Sequence, residues 1–340
     1  MKISDFDYQL PEERIAQFPP KVRGQTRLLA LNRQSGAITH RKYADLDDYL
    51  EPGDVVVLNK TKVIKARLIT LNKDGKPREI LLTETHGAQQ THQRLVIYRG
   101  SIHAGETLTV GTAKLTVDEV LDGGLAKISS KSDLLALAER AGNVPLPPYM
   151  KRDANGEDRE RYQTIFAKDA GSVAAPTASL NFTQELADKL TTKKVKIVYL
   201  TLHVGLGTFL PIRTDAVEDH KMHSEYFEIP VETVEAIQAA KRAGNKVCAV
   251  GTTVARTLEY AAEQLLEEPR AITGEADIFM YPGYEFKMVD LLLTNYHAPR
   301  STVLMLAAAF AGWDHLLNAY QEALQEKYDF LSYGDSMLIY

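Results

Sequence analysis

Between the turn Glu51-Pro52-Gly53-Asp54 and the polar Asn59, the chain runs Val55-Val56-Val57-Leu58 without a polar interruption. A short apolar run bounded by turn residues reads as a buried strand. Upstream there is a polar start and the alternating RLLALN segment, but no sheet that could receive such a strand. The first 62 residues must therefore pair with strands supplied from further along the chain.

The next segment has another texture. From about Val63 to Asn143, short β-favouring stretches (ILLTET, RLVIYRG, TLTVGTAKLTVDEVL) alternate with Gly, Asn and Asp turns. This pattern predicts a small antiparallel barrel or sandwich. The proline-rich Val144-Pro145-Leu146-Pro147-Pro148-Tyr149 closes it, because proline fixes φ and cannot donate to a ladder. Beyond that hinge, strands and helices alternate: VKIVYLTLHV as a strand, Val231 to Ala243 as a helix, KVCAV as a strand, Thr253 to Leu266 as a helix, then LLLTN and a helix from Ser301 to Phe310. Such alternation predicts an α/β domain. The expected fold is a large mixed α/β (α+β) domain, discontinuous over 1–62 and 150–340, with an antiparallel β-barrel inserted at 63–149.

Composition narrows the function. A chain of 340 residues with 44% hydrophobic and 25% charged residues is an ordinary globular protein rather than a disordered one. Its single cysteine, Cys248, excludes an internal disulfide and any multi-cysteine metal site, which fits a reducing cytoplasm. The apolar run from Val303 to Trp313 is far short of the roughly 20 residues that cross a bilayer. Asp5 and Asp7 stand where a secretory signal would need apolar residues, so a cytoplasmic location is expected. The net charge of −5 argues weakly against bulk coating of nucleic acid. The 63–149 segment, however, carries 11 basic residues against 9 acidic ones.

Three stretches share one plan, in which a buried strand runs into a polar loop and a helix then begins. Val250-Gly251-Thr252-Thr253 offers amides and hydroxyls at the positive end of a helix dipole, suited to a carboxylate or phosphate. A helix N-cap made by Thr252 accounts for the same residues equally well. Leu293-Thr294-Asn295-Tyr296-His297-Ala298-Pro299-Arg300-Ser301 gathers an amide, an imidazole and a guanidinium; the alternative is a capping Ser301 or Thr302 with His297 and Arg300 in solvent. Ala174 to Thr183 is rich in small residues that let a ligand approach the backbone, or pack as a tight loop, with Thr183 placed to cap a helix from Gln184.

The run Thr201-Leu202-His203-Val204-Gly205-Leu206-Gly207 invites comparison with a dinucleotide-binding turn. The comparison fails, because Leu210 stands where a third small residue is needed and Pro211 follows. Close backbone approach at Gly205 and Gly207 remains available. In Met222-His223-Ser224-Glu225, an extended backbone would point His223 and Glu225 to one face. No zinc motif, G-x-S-x-G elbow or Walker loop occurs, so no metal is expected.

In order along the chain, DFDY with Leu10-Pro11 and Ile15-Ala16-Gln17, NKTKVIKAR (59–67), Arg161-Tyr162-Gln163-Thr164, AAPTASLNFT, TLHVGLGTF, MHSEY, GTT, YPGYEFK, LLLTNYHAPRST and Ser332-Tyr333-Gly334-Asp335 form one set. This set resembles the S-adenosylmethionine:tRNA ribosyltransferase-isomerase family, which builds the epoxycyclopentane part of queuosine. The resemblance implies a mixed α/β domain with an inserted β-barrel. It implies transfer and isomerisation of the ribosyl group of S-adenosylmethionine onto a 7-aminomethyl-7-deazaguanine at the tRNA wobble position, with release of adenine and methionine. S-adenosylmethionine is then a co-substrate, no recycled cofactor or metal is required, tRNA is the partner, and a monomer is the default.

Under that resemblance, His203, His223 and Glu225 are the acid–base candidates. Gly205, Gly207, Thr252, Thr253, Asn295 and His297 are expected at the S-adenosylmethionine pocket, and Arg161 and Tyr162 at the substrate or RNA. Several positions depart from the family pattern: Lys60 for aspartate, Lys65 for proline, Ser179 for glycine, Asn181 for histidine, Ala298 for leucine, Arg300 for lysine and Asp329 for arginine. An amide cannot shuttle a proton near neutral pH. A non-catalytic or altered-activity paralogue that binds tRNA and a nucleoside ligand is therefore the alternative to an active enzyme.

Overall fold

The computed structural model describes residues 1–84, 91–205, 207 and 212–340. In chain order, strands β1 (Arg27–Leu31), β2 (Ile38–Lys42), β3 (Val55–Asn59) and β4 (Thr61–Val63) come first. Then follow β5 (Arg67–Leu71), β6 (Pro77–Leu82), β7 (Gln93–Arg99), β8 (Thr107–Val110), β9 (Ala113–Leu121), β10 (Leu125–Ser130), α1 (Leu134–Ala141) and α2 (Gly156–Arg161). The chain continues through β11 (Asp169–Ser172), α3 (Gln184–Thr192), β12 (Lys196–Leu202), β13 (Glu225–Ile229), α4 (Val231–Arg242), β14 (Val247–Val250) and α5 (Thr252–Tyr260). It ends with β15 (Ile272–Ala276), β16 (Leu291–Asn295), α6 (Thr302–Ala311), α7 (Trp313–Gln325) and β17 (Ser336–Ile339).

Among the described residues, nine strands form one sheet in the order β15-β13-β12-β3-β14-β16-β17-β1-β2. Its centre, β12-β3-β14-β16, is parallel, and antiparallel strands flank it at β13 and β17. The apolar run from Val55 explains itself here. Val55 and Val57 enter the core covered by α4, α5, α6 and α7, while Val56 and Leu58 enter the core under α3 on the opposite face. A parallel strand covered on both faces has no polar side to alternate with.

A closed barrel runs in the order β10-β7-β6-β5-β8-β9. Leu68, Ile80, Leu82, Val96, Leu115, Val117 and Ile128 point into its core. The chain leaves for the barrel after β4 and returns at β11, and these two strands pair in parallel, so exit and re-entry are neighbours. The architecture is the expected mixed α/β fold carrying an antiparallel barrel. One element differs from the all-β reading of 63–143. Leu134, Leu137 and Ala138 recur at helical spacing and place α1 against the barrel core, behind an Asp133 whose side chain accepts the Ala136 N–H.

Thr183 and Ser301 cap α3 and α6 through the N–H groups of Leu186 and Leu304, at 3.1 and 3.2 Å. The helix expected over 253–266 stops at Tyr260, and only a short 3₁₀ turn, Gln264–Leu266, follows. No helix among the described residues is long and apolar enough to cross a membrane.

Candidate active site

A cavity of about 900 Å³ lies beyond the carboxyl ends of β12, β14 and β16. Open α/β sheets generally offer their ligand crevice there. The three strand–loop–helix stretches singled out in the sequence converge on it: Ala174 to Ala178, Gly251 to Thr253, and Thr294 to Thr302 all line its wall.

The first junction is built around Gly251, with φ 102° and ψ 151°, a conformation open essentially to glycine alone. Gly251 is itself the N-cap, and Thr252 is the first helical residue. The cap that the sequence offered through a Thr252 side chain is not made, because no side chain caps α5. The Gly251 N–H donates to the Leu293 carbonyl at 2.7 Å, which binds this turn to the end of β16. Asn59, at the end of β3, donates to the Thr253 hydroxyl at 3.3 Å and accepts the N–H groups of Thr61 and Leu202.

At the second junction, His297 is held on three sides. Its Nε2 lies 2.8 Å from the Thr294 hydroxyl, its N–H donates to the Tyr320 hydroxyl at 2.9 Å, and its carbonyl accepts from Tyr8 at 2.5 Å. Burial pushes the imidazole down to about 3, so it is a neutral hydrogen-bonding group at physiological pH. Asn295 is buried and donates to the Asp335 carbonyl at 3.3 Å. Arg300 is exposed, as the solvated reading had it, but it is paired with Asp7 through Nε at 2.9 Å. At the third junction, the Tyr43 hydroxyl donates to the Ala178 carbonyl at 2.7 Å and fixes the loop.

His223 and Glu225 both line the cavity, as does Gly207, where an added Cβ would come within 3.1 Å of the His223 ring. Glu225 begins β13, and both of its oxygens are engaged. Oε1 accepts the Gly205 N–H at 2.8 Å, and Oε2 is paired with Arg256 Nη1. Burial first, and then the neighbouring His223, lowers the pKa of His220, which lies beside them on the same wall.

Three of the sequence candidates do not line the cavity. His203 is buried, with Nδ1 2.8 Å from the Thr61 hydroxyl and its ring stacked on Tyr226; a Cβ at Gly171 would fall 2.5 Å from its Nε2. Gly205 stands behind the wall, so close to the Glu84 carboxylate (2.4 Å from an added Cβ) that Glu84 would have to move to admit a side chain. Arg161 donates to the Pro20 carbonyl at 2.7 Å, away from the cavity. Its neighbour Tyr162 does line the wall, fully buried, with a T-shaped contact to Tyr333 and its hydroxyl pKa raised by burial.

Sequence reasoning missed Arg256 and the chain start. Arg256 follows Thr252 by one helical turn, so the i, i+4 rule places it on the cavity face of α5. Lys2, Ile3 and Ser4 reach the opposite wall because the Ile3 N–H donates to the Asp215 carbonyl at 2.9 Å, a long-range contact with no local signal.

Four departures from the family pattern meet an opposite charge. Lys60 lies 3.1 Å from Asp169, Lys65 lies 2.7 Å from Glu139, Asp329 lies 3.8 Å from Arg14, and Arg300 is paired with Asp7. Asn181 is buried and does not line the cavity. Among the described residues, no group of His, Cys, Asp and Glu could hold a metal ion.

Comparisons with known proteins cover the whole molecule. The family model for a queuosine biosynthesis protein matches residues 3–339. The chain is 57% identical to the S-adenosylmethionine:tRNA ribosyltransferase-isomerase of Pelodictyon phaeoclathratiforme, with both chains covered in full. It is 45% identical to the protein of the same description from Francisella tularensis subsp. novicida, again with both covered in full. The crystal structure of an S-adenosylmethionine tRNA ribosyltransferase from Thermotoga maritima superimposes with a TM-score of 0.58 at 35% identity, over 99% of this chain and 100% of that one.

Proposed function

This chain belongs to the queuosine biosynthesis protein family, and from that premise we propose that it is an S-adenosylmethionine:tRNA ribosyltransferase-isomerase. Its substrates are S-adenosylmethionine and a tRNA carrying 7-aminomethyl-7-deazaguanine at the wobble position; its products are epoxyqueuosine-tRNA, adenine and methionine. The observation that carries the reading is full-length identity of 57% to a protein of that description, with residues of several of the family's motifs lining one cavity.

The chemistry needs little beyond proton transfer and register. The sulfonium acidifies the adjoining ribosyl 5′ carbon and makes methionine a good leaving group. A base removes a 5′ proton, adenine leaves, the amine of the deazaguanine attacks, and the epoxide closes as methionine departs. His223 is our choice for the proton transfer, since it is an imidazole exposed on the cavity wall. Glu225, with both oxygens engaged, positions the Gly205 backbone and Arg256. His203, buried against Thr61, supports the wall from behind. Gly207, Thr252, Thr253, Asn295 and His297 contact S-adenosylmethionine, and Gly205 sets the backbone behind them. Arg161 and Tyr162 hold the hinge side, where the RNA enters.

The tRNA must present its wobble base unstacked, across a surface that attracts phosphate. We assign part of that surface to the barrel rim and the adjoining hinge, where Arg67, Arg99, Lys151 and Arg152, interleaved with Glu79 and Asp153, line a hollow of about 300 Å³. The enzyme works as a cytoplasmic monomer. Full-length identity of 57% to a protein described as that enzyme favours an active enzyme over a binding-only paralogue. The test is digestion of the tRNA after reaction: an epoxyqueuosine nucleoside should replace the aminomethyl deazaguanine nucleoside, and its absence despite binding of both substrates would support the paralogue.

A further inference from the structure

Among the described residues, three buried polar atoms on residues of the cavity wall have no hydrogen-bond partner: Arg256 Nε, Asn295 Oδ1 and the Tyr296 hydroxyl. Arg256 Nε is a donor on a side chain 10% exposed, and Asn295 Oδ1 is an acceptor on a residue 3% exposed. A buried polar atom left unpaired is costly, so one on a cavity wall points to a group that arrives from outside. The sense of the Asn295 amide follows from its own bond: Nδ2 donates to the Asp335 carbonyl, which leaves Oδ1 as an acceptor with no donor among the described residues. Arg256 in turn spends Nη1 on Glu225 and Nη2 on the Ala276 carbonyl, leaving Nε.

Those bonds turn the Arg256 guanidinium toward the β13–β15 edge, whereas Asn295 borders the start of α5. Gly251 is tied to Leu293 by its N–H, and the β14–β16 register sets Val250 opposite Leu293, so the start of α5 lies beside Thr294 and Asn295. Donors dominate on the α5 side. No side chain caps the helix, because its N-cap is a glycine, and its first-turn N–H groups point to the cavity end. The Thr253 hydroxyl accepts from Asn59 Nδ2 and thus has its own proton left to give. First-turn N–H groups and a hydroxyl proton, at the positive end of a helix dipole, suit an oxyanion. An acceptor beside them suits an ammonium.

We propose that this corner is the subsite for the amino-acid end of S-adenosylmethionine, with its carboxylate on the α5 N-terminal turn and the Thr253 hydroxyl, and its ammonium on Asn295 Oδ1. The assignment rests on the reading given under Proposed function and fixes the direction of the co-substrate: methionine toward α5, and ribose and adenine toward His223 and the opposite wall. Thr253 and Asn295 act here as specificity determinants for the zwitterion.

The test crosses ligand with variant. Equilibrium dissociation constants for S-adenosylmethionine and its decarboxylated analogue are measured in the presence of tRNA with an unmodified wobble guanine, so that no turnover occurs. Wild type should prefer the carboxylate-bearing ligand by roughly tenfold or more, the range of a hydrogen bond to a charged group. Thr253→Val should erase most of that preference by weakening S-adenosylmethionine alone, and Thr253→Ser, which keeps the hydroxyl, should retain it. Asn295→Asp, which offers the ammonium a full charge, provides a second variant and should not weaken the analogue, which keeps the amine. Equal loss of both ligands in Thr253→Val, or a wild type indifferent to the carboxylate, overturns the assignment while leaving the reaction itself intact. A wild type that binds neither ligand overturns the functional reading and the assignment with it.

Discussion

Glu225 and Arg256 form a buried ion pair in the cavity wall, Oε2 to Nη1, while the other Glu225 oxygen holds the Gly205 N–H at 2.8 Å. One carboxylate thus fastens helix α5 to the turn after β12, two elements far apart in sequence. The pair is 10% and 6% exposed, so removing one partner strands a buried charge. Glu225→Gln should therefore cost about 3–5 kcal/mol of stability. It should also raise the dissociation constant for S-adenosylmethionine, a change that loss of a proton-transfer group alone would not cause. Thermal denaturation and ligand titration check both.

His223 and His203 should separate cleanly. His223→Gln is expected to lower kcat by roughly 10²–10⁴-fold, the usual contribution of a positioned acid or base, with little change in co-substrate affinity or melting temperature. His203→Ala should instead lower the melting temperature, because it empties a buried site between Thr61 and Tyr226. Single-turnover rates and calorimetry on the two variants distinguish these outcomes.

His297, half-buried with its imidazole desolvated, makes stability depend on pH. Its pKa is pushed down to about 3 in the folded protein, whereas an unfolded histidine titrates near 6.5. The unfolded chain thus binds the extra proton first, and the stability associated with a neutral His297 is present above about pH 6.5 and lost as pH falls toward 3. His297→Gln should flatten the acid limb of the stability curve, by at most about 1.4 kcal/mol per pH unit between those limits. Urea midpoints at several pH values read this slope directly, apart from any constant offset of the variant.

Charge at the barrel rim should govern RNA affinity. Arg99 and Lys151 are 66% and 64% exposed at the hollow beside the hinge. Arg99→Glu and Lys151→Glu should each weaken tRNA binding, reduce the salt dependence of the affinity and leave S-adenosylmethionine binding unchanged. Unaltered salt slopes would move the RNA surface elsewhere.

The parts of this architecture legible in the sequence are those set by local pattern. Val55 to Leu58 announced a buried strand, the spacing of β-favouring segments announced a small antiparallel barrel or sandwich, and Thr183, with Ser301 or Thr302, announced the capped helices. The three loop junctions were visible one by one as strand-to-helix turns. Their convergence was not, because it depends on the strand order of the large sheet, in which β14 and β16 become neighbours although some 40 residues separate them. Arg256 carried a readable signal, one helical turn after Thr252, whereas Lys2 and Ile3 reach the cavity only through pairing with residues near 215. His203 and Arg161 stand in specific motifs yet lie behind or away from the wall. Motif membership marks a neighbourhood, and only the tertiary fold decides which side chains face its cavity.

Adenine release is the most direct measure of the central claim. The purified protein is mixed with S-adenosylmethionine and tRNA bearing the aminomethyl deazaguanine, and in parallel with the same tRNA lacking that modification. The account predicts free adenine in stoichiometric step with methionine, only when the modified base is present. No adenine from the modified tRNA, under conditions where both substrates bind, would contradict it.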